Sequence, residues 1–134
     1  MQLSPSFTAL PRIGRATINT ANTNRDGTGT IATVFTASTS STTSPGGGSR
    51  IDKVVVKALQ TTTAGMVRLY THDGTSAALL TEIPVAPVTV GANVAAFETV
   101  VDFLGGLPIP ANWSLRASTQ NAESFVVTAF GGDF

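Results

Sequence analysis

Cysteine is absent from this chain of 134 residues. That excludes a disulfide, a thiolate metal site and a cysteine nucleophile. Stability must come from packing, hydrogen bonding or assembly. Charge is scarce as well: Asp, Glu, Lys and Arg make up 12% of residues, against an ordinary share of about 25%. The eight basic and eight acidic residues cancel, which argues against electrostatic capture of nucleic acid or of an anionic membrane. A net charge near zero also favours association. No apolar run approaches the roughly 18 residues needed to span a bilayer. The opening MQLSPSFTALPRIGR has no basic segment followed by an apolar one, so no secretory signal is expected. The expectation is a soluble chain made in the cytoplasm. Histidine, tryptophan and tyrosine occur once each.

What is abundant is β-forming. Threonine occurs 21 times, Val and Ile are plentiful, and such β-branched residues suit a pleated surface. Thirteen Gly and seven Pro punctuate the chain, and apolar residues nowhere hold a 3.6-residue period over three turns. The pattern predicts an all-β domain of about eight strands. They are expected over residues 12–19, 28–38, 50–59, 65–72, 76–83, 93–103, 113–119 and 124–130. In the third, Val54, Val56 and Ala58 share one face and Lys53, Val55 and Lys57 the other. In the fourth, Val67, Leu69 and Thr71 alternate with Met66, Arg68 and Tyr70. In the sixth, Phe97, Thr99 and Val101 share a side. Hydrophobic residues, 42% of the chain, suffice for a core, and a domain near this size buries roughly two-thirds of its extended surface.

The connections differ in kind. SSTTSPGGGS, residues 40–49, is a polar loop expected to be mobile or ordered only against a neighbour. FLGGLPIPANWSL and IPVAPVTVGA, with their Gly and Pro, predict two long crossings rather than tight turns, Pro84 and Pro87 excluding a central strand. Two long crossings point to a β-sandwich with jelly-roll or Greek-key wiring. Residues 1–11 read as an extended N-terminal arm outside a sandwich domain at 12–134, because Pro5 and Pro11 prevent regular structure. Leu3, Phe7 and Leu10 on that arm, and Phe134 at the other end, are the candidate contact residues toward a larger shell or a sister subunit. Two frayed tails are the alternative.

No catalytic, cofactor or metal site is expected. His72 and Asp73 invite an acid–base reading, but Asp73-Gly74 between two alternating segments is hairpin chemistry. A general base needs a positioned partner and a pocket, and no nucleophile-elbow pattern G-x-S-x-G occurs. The eight acidic residues are scattered, and none is spaced as a calcium loop requires. TNRDGTGT, residues 23–30, has one carboxylate beside Asn22 and Asn24 and reads as a turn. SPGGGSR lacks the ending of a phosphate-binding loop. NWS, residues 112–114, matches a glycosylation acceptor, but Trp113 is expected to anchor the core. Arg68 and Arg116 are expected on a solvated face or paired with Glu82 or Glu98 across strands, the alternative being to dock on a partner's carboxylates.

The segments GTGTIATVFTA, MVRLYTHDGT, EIPV and LPIPANWSLRASTQNAESFVVTAFGGDF carry a resemblance. Over residues 26–134 the chain resembles a group of small tailed-bacteriophage virion structural proteins, Thr-, Ala- and Gly-rich β-sandwiches with a strand–HDGT–strand hairpin. The resemblance implies a capsid decoration (cement) protein on the capsid surface of the virion, bound to the major capsid protein, with a homotrimer as the favoured homo-oligomer. Three-fold association would protect sheet edges. A tail or fibre-associated carbohydrate-binding module is the alternative. An enzyme is not expected, since a depolymerase needs paired carboxylates in a cleft.

Overall fold

The computed structural model describes residues 10–39 and 47–134. Leu3, Phe7 and most of the polar loop at 40–49 lie outside the described residues, so the expectations placed on them are not addressed. Eight strands follow one another: β1 (Leu10–Ile18), β2 (Ala32–Thr36), β3 (Ser49–Ala58), β4 (Gly65–His72), β5 (Ala77–Val85), β6 (Glu98–Ile109), β7 (Ser114–Thr119) and β8 (Phe125–Asp133). They form two four-stranded sheets, in the orders β1-β8-β3-β6 and β2-β7-β4-β5. Every neighbouring pair is antiparallel. Among the described strands only the β4–β5 hairpin stays within one sheet, and every other successive pair changes sheet. This is the jelly-roll wiring of two interleaved Greek keys.

The core forms because period-two alternation turns one face of each sheet toward the other. Val54, Val56 and Ala58 of β3, with Phe125, Val127 and Ala129 of β8, face Val67 and Leu69 of β4 and Leu115 and Ala117 of β7. Phe97 and Val101 close the β6 side. The outer face of the first sheet is ordered by register. Ile13, Phe130, Lys53 and Asp102 make one cross-strand row, and Arg15, Thr128, Val55 and Val100 the next.

Strand limits differ from the sequence pattern where proline and glycine were read as breakers. Pro11 lies in β1 opposite Gly132, Pro84 in β5 opposite Met66, and Pro108 in β6 opposite Arg50. All three strands are sheet edges, where a residue with no N–H costs no ladder bond if it faces outward. Leu10 and Pro11 therefore belong to β1 rather than to an arm. FLGGLPI is not a crossing but the second half of β6. There Gly105 and Gly106 have φ of 83° and 87°, and residues 103–106 bulge out between the pairs Ile51↔Leu107 and Lys53↔Asp102. The C-terminus is no frayed tail, since β8 runs to Asp133 between β1 and β3. A Cβ on Gly131 would strike the Arg50 carbonyl on β3, so the glycine lets the two backbones approach.

Candidate functional site

The two segments singled out as turns, residues 23–30 and 72–76, are brought together. The β1–β2 connection, residues 19–31, folds back over the outer face of the second sheet and ends against the β4–β5 hairpin. Between them opens a polar cleft of about 330 Å³, lined by Asp26, Thr28, His72, Thr75, Ser76 and Arg116 among others. Gly27 makes the closure possible: its φ is 86°, and a Cβ there would meet the Ala77 carbonyl.

Buried polar groups hold this connection down. Asn22 donates through Nδ2 to the carbonyls of Thr28 and Thr30, both at 3.0 Å, and its Oδ1 accepts from the Asn24 N–H at 3.0 Å. The Tyr70 hydroxyl donates to the Asn24 carbonyl at 2.9 Å. Arg68 is 1% exposed because the connection lies across it. It donates to Glu82 at 2.9 Å, to Gln120 Oε1 at 2.8 Å and to the Asn22 carbonyl at 3.3 Å. Arg25 reaches the same Glu82 oxygen at 2.8 Å. The expected pairing of Arg68 with Glu82 is present, but not on a solvated face. With its donors used inside the chain, Arg68 cannot dock on a partner. Hydrogen bonds from Arg25 and then Arg68 hold the Glu82 carboxyl below its ordinary range.

The cleft's own titratable groups serve its turns. His72 Nδ1 accepts from the Gly74 N–H at 3.0 Å, which leaves the proton of a neutral ring on Nε2. Asp73 Oδ1 accepts from the N–H groups of Ser76 at 2.8 Å and Thr75 at 2.9 Å, and these two bonds lower its pKa. Asp26 Oδ1 accepts from the Thr28 hydroxyl at 2.5 Å and the Thr28 N–H at 3.1 Å, which lower its pKa in that order. Arg116 Nε donates to Ser114 Oγ at 3.1 Å. Among the described residues, no Ser or Thr hydroxyl bonds to the His72 ring, and no three His, Asp or Glu side chains gather as metal ligands.

A second polar cluster, missed in the sequence, lies at the end of the first sheet. Asp133 accepts from Ser49 Oγ at 2.6 Å and from Arg12 at 3.0 Å. Arg12 also donates to the Thr36 carbonyl at 2.8 Å and stacks 4.4 Å over the Phe35 ring. This cluster ties β1, β2, β3 and β8 together. No local pattern announces it, because its members are up to 121 positions apart.

Of the candidate contact residues, Leu10 opens β1 opposite Asp133 and is 59% exposed. Phe134 follows Asp133, its N–H donating to the Gly48 carbonyl at 3.2 Å. The two therefore share one end of the sandwich. Leu3 and Phe7 fall outside the described residues. Trp113 does not anchor the core: it precedes β7 and is 36% exposed. The largest apolar exposure lies elsewhere, on Leu104 at the β6 bulge, and Ile13, Leu59, Val94 and Val100 are each more than half exposed. No protein-family model matches the chain, and no curated protein matches it.

Proposed function

We propose that this chain is a structural protein of a phage virion, a capsid decoration protein that binds the outer surface of the head and stabilises it. The reading rests on one contrast. The polar groups that could do chemistry, His72, Asp73 and Asp26, hold their own turns, while large apolar side chains, Leu10, Ile13, Val100 and Leu104, face solvent. A protein so arranged gains free energy by being covered, not by turning over a small molecule. The major capsid protein is the proposed partner, met through the end that carries Leu10 and Phe134, and the protein acts as a homo-oligomer. Several modest contacts on a repeating lattice add as avidity.

Binding of the purified chain to phage heads that lack it is the test, read by cosedimentation and by imaging. Saturable density on the capsid exterior is expected. Density confined to the tail would move the assignment to the second reading, a carbohydrate-binding module. The polar cleft is the observation behind that reading, though its lining has no Phe, Tyr or Trp ring to stack on a sugar. Trp113→Ala is the informative variant on a glycan array. Tyr70 is not, because it is buried and its hydroxyl is bonded to Asn24.

A further inference from the structure

The polar cleft holds a cation that nothing in the fold neutralises. Arg116 lies on the outer face of the second sheet, level with Thr33 of β2 and Tyr70 of β4. Tyr70 is fully buried, whereas Arg116 is half-buried and lines the cleft. Four other arginines meet a carboxylate: Arg12 pairs with Asp133, Arg50 with Asp52, and Arg25 and Arg68 share Glu82. Arg116 has no such partner among the described residues. Arg15 has none either, but it is exposed on a strand face. A charge drawn partly out of water calls for an opposite one. The Arg116 Nε is taken by Ser114, which leaves two terminal nitrogens, the number a carboxylate's two oxygens require.

The walls add groups of other kinds. On the hairpin side, His72 keeps a donor at Nε2, because its Nδ1 accepts from Gly74. Thr75 and Ser76 give their N–H groups to Asp73, and their hydroxyls have no partner among the described residues. On the other side, Asp26 uses Oδ1 for both bonds from Thr28, and its Oδ2 remains an acceptor. The cleft is therefore cationic at its floor, anionic at one wall and rich in hydroxyls at the other.

We propose that this cleft is a binding site for a sugar acid, with the carboxylate on Arg116 and the ring hydroxyls on Asp26, Thr75 and Ser76. Asp26 accepts from a hydroxyl and repels a second carboxylate, so a ligand with one carboxylate and several hydroxyls fits where a polyanion does not. The volume of about 330 Å³ stands at the small end of ligand pockets, roughly 300–1,000 Å³, and suits one sugar unit. With no Phe, Tyr or Trp in the lining, a neutral sugar has no stacking surface, and charge does the selecting. In an open, wet site the affinity is modest, with Kd of about 1 mM. The inference gives the carbohydrate reading a ligand class. It is independent of where on a particle the chain sits, and its test needs no phage head.

Titration of the purified, isotope-labelled full chain with sodium D-glucuronate, followed by NMR, provides the test, with D-glucose and sodium acetate at equal ionic strength as comparisons. Saturable shifts are expected at Gly27, Thr28, Thr75, Ser76 and the Arg116 Nε–H. Glucose and acetate should each bind about tenfold more weakly or worse. Arg116→Gln should lose glucuronate binding while its spectrum stays that of a folded chain. Thr75→Ala should weaken glucuronate but leave acetate unchanged. The proposal is overturned if glucuronate gives no saturable shift up to about 50 mM, if glucose or acetate binds as tightly, or if folded Arg116→Gln binds as the wild type does.

Discussion

Arg68 illustrates how a residue's role depends on what lies over it. The strand pattern placed it opposite Val67 and Leu69, which is correct, and its pairing with Glu82 follows from antiparallel register. That its face is covered could not be read locally, since the cover comes from residues 19–31, some 40 positions away. Removing a buried cation takes the Arg68 donors from the Asn22 carbonyl and Gln120 and leaves Glu82 with Arg25 alone. Arg68→Ala should therefore cost roughly 2–4 kcal/mol in urea unfolding. Glu82 gives a pH prediction with a definite sign. Its folded pKa lies below the ordinary value of 4.5, so the unfolded state binds more protons over the acid range and stability rises with pH there. The contribution is fully present above the unfolded value and is lost as pH falls through the folded one. Asp26 and Asp73 act in the same direction. Melting temperature should fall on acidification below about pH 5, and the fall should be shallower in Glu82→Gln.

Among the elements, β4 and its hairpin were legible to the residue, because Asp73-Gly74 turn chemistry and the alternation on either side are local. Strands β5, β6 and β8 were cut short, because Pro and Gly were taken as breakers without knowing which strands are edges. The two kinds of glycine in this fold differ in a measurable way. Gly131 lies in the central strand β8, where a Cβ would collide with the Arg50 backbone. Gly131→Ala should cost about 2 kcal/mol or more, since backbone must shift. Gly105 has φ of 83° but nothing within 4 Å of a Cβ, so Gly105→Ala should cost only about 1 kcal/mol, from the left-handed conformation. Equal costs in denaturant unfolding would contradict this account of the bulge. The C-terminal element gives a further expectation. Deleting residues 132–134 removes Asp133 from Arg12 and Ser49 and should lower the melting temperature by several degrees, as two or three lost kcal/mol do in a domain of this size.

For the whole molecule, the jelly roll couples residues far apart in the chain, so β1 and β8, the first and last strands, are structural rather than dispensable. Leu10 already belongs to β1. A truncation meant to test the N-terminal arm should therefore remove residues 1–9 and leave 10 and 11. On the proposed virion reading that variant should lose occupancy on phage heads; full occupancy would exclude the arm from docking. Alternating apolar residues, scarce charge and missing cysteine were enough to determine an all-β sandwich of eight strands with a β4–β5 turn at His72 and Asp73. Strand period and turn chemistry act over a few residues and are written in the local order. Which strands became edges, what covered Arg68, how Asp133 came to Arg12, and which apolar face stayed open were decided only by the tertiary structure. Each of these depends on contacts between segments that the chain brings together only when both sheets close.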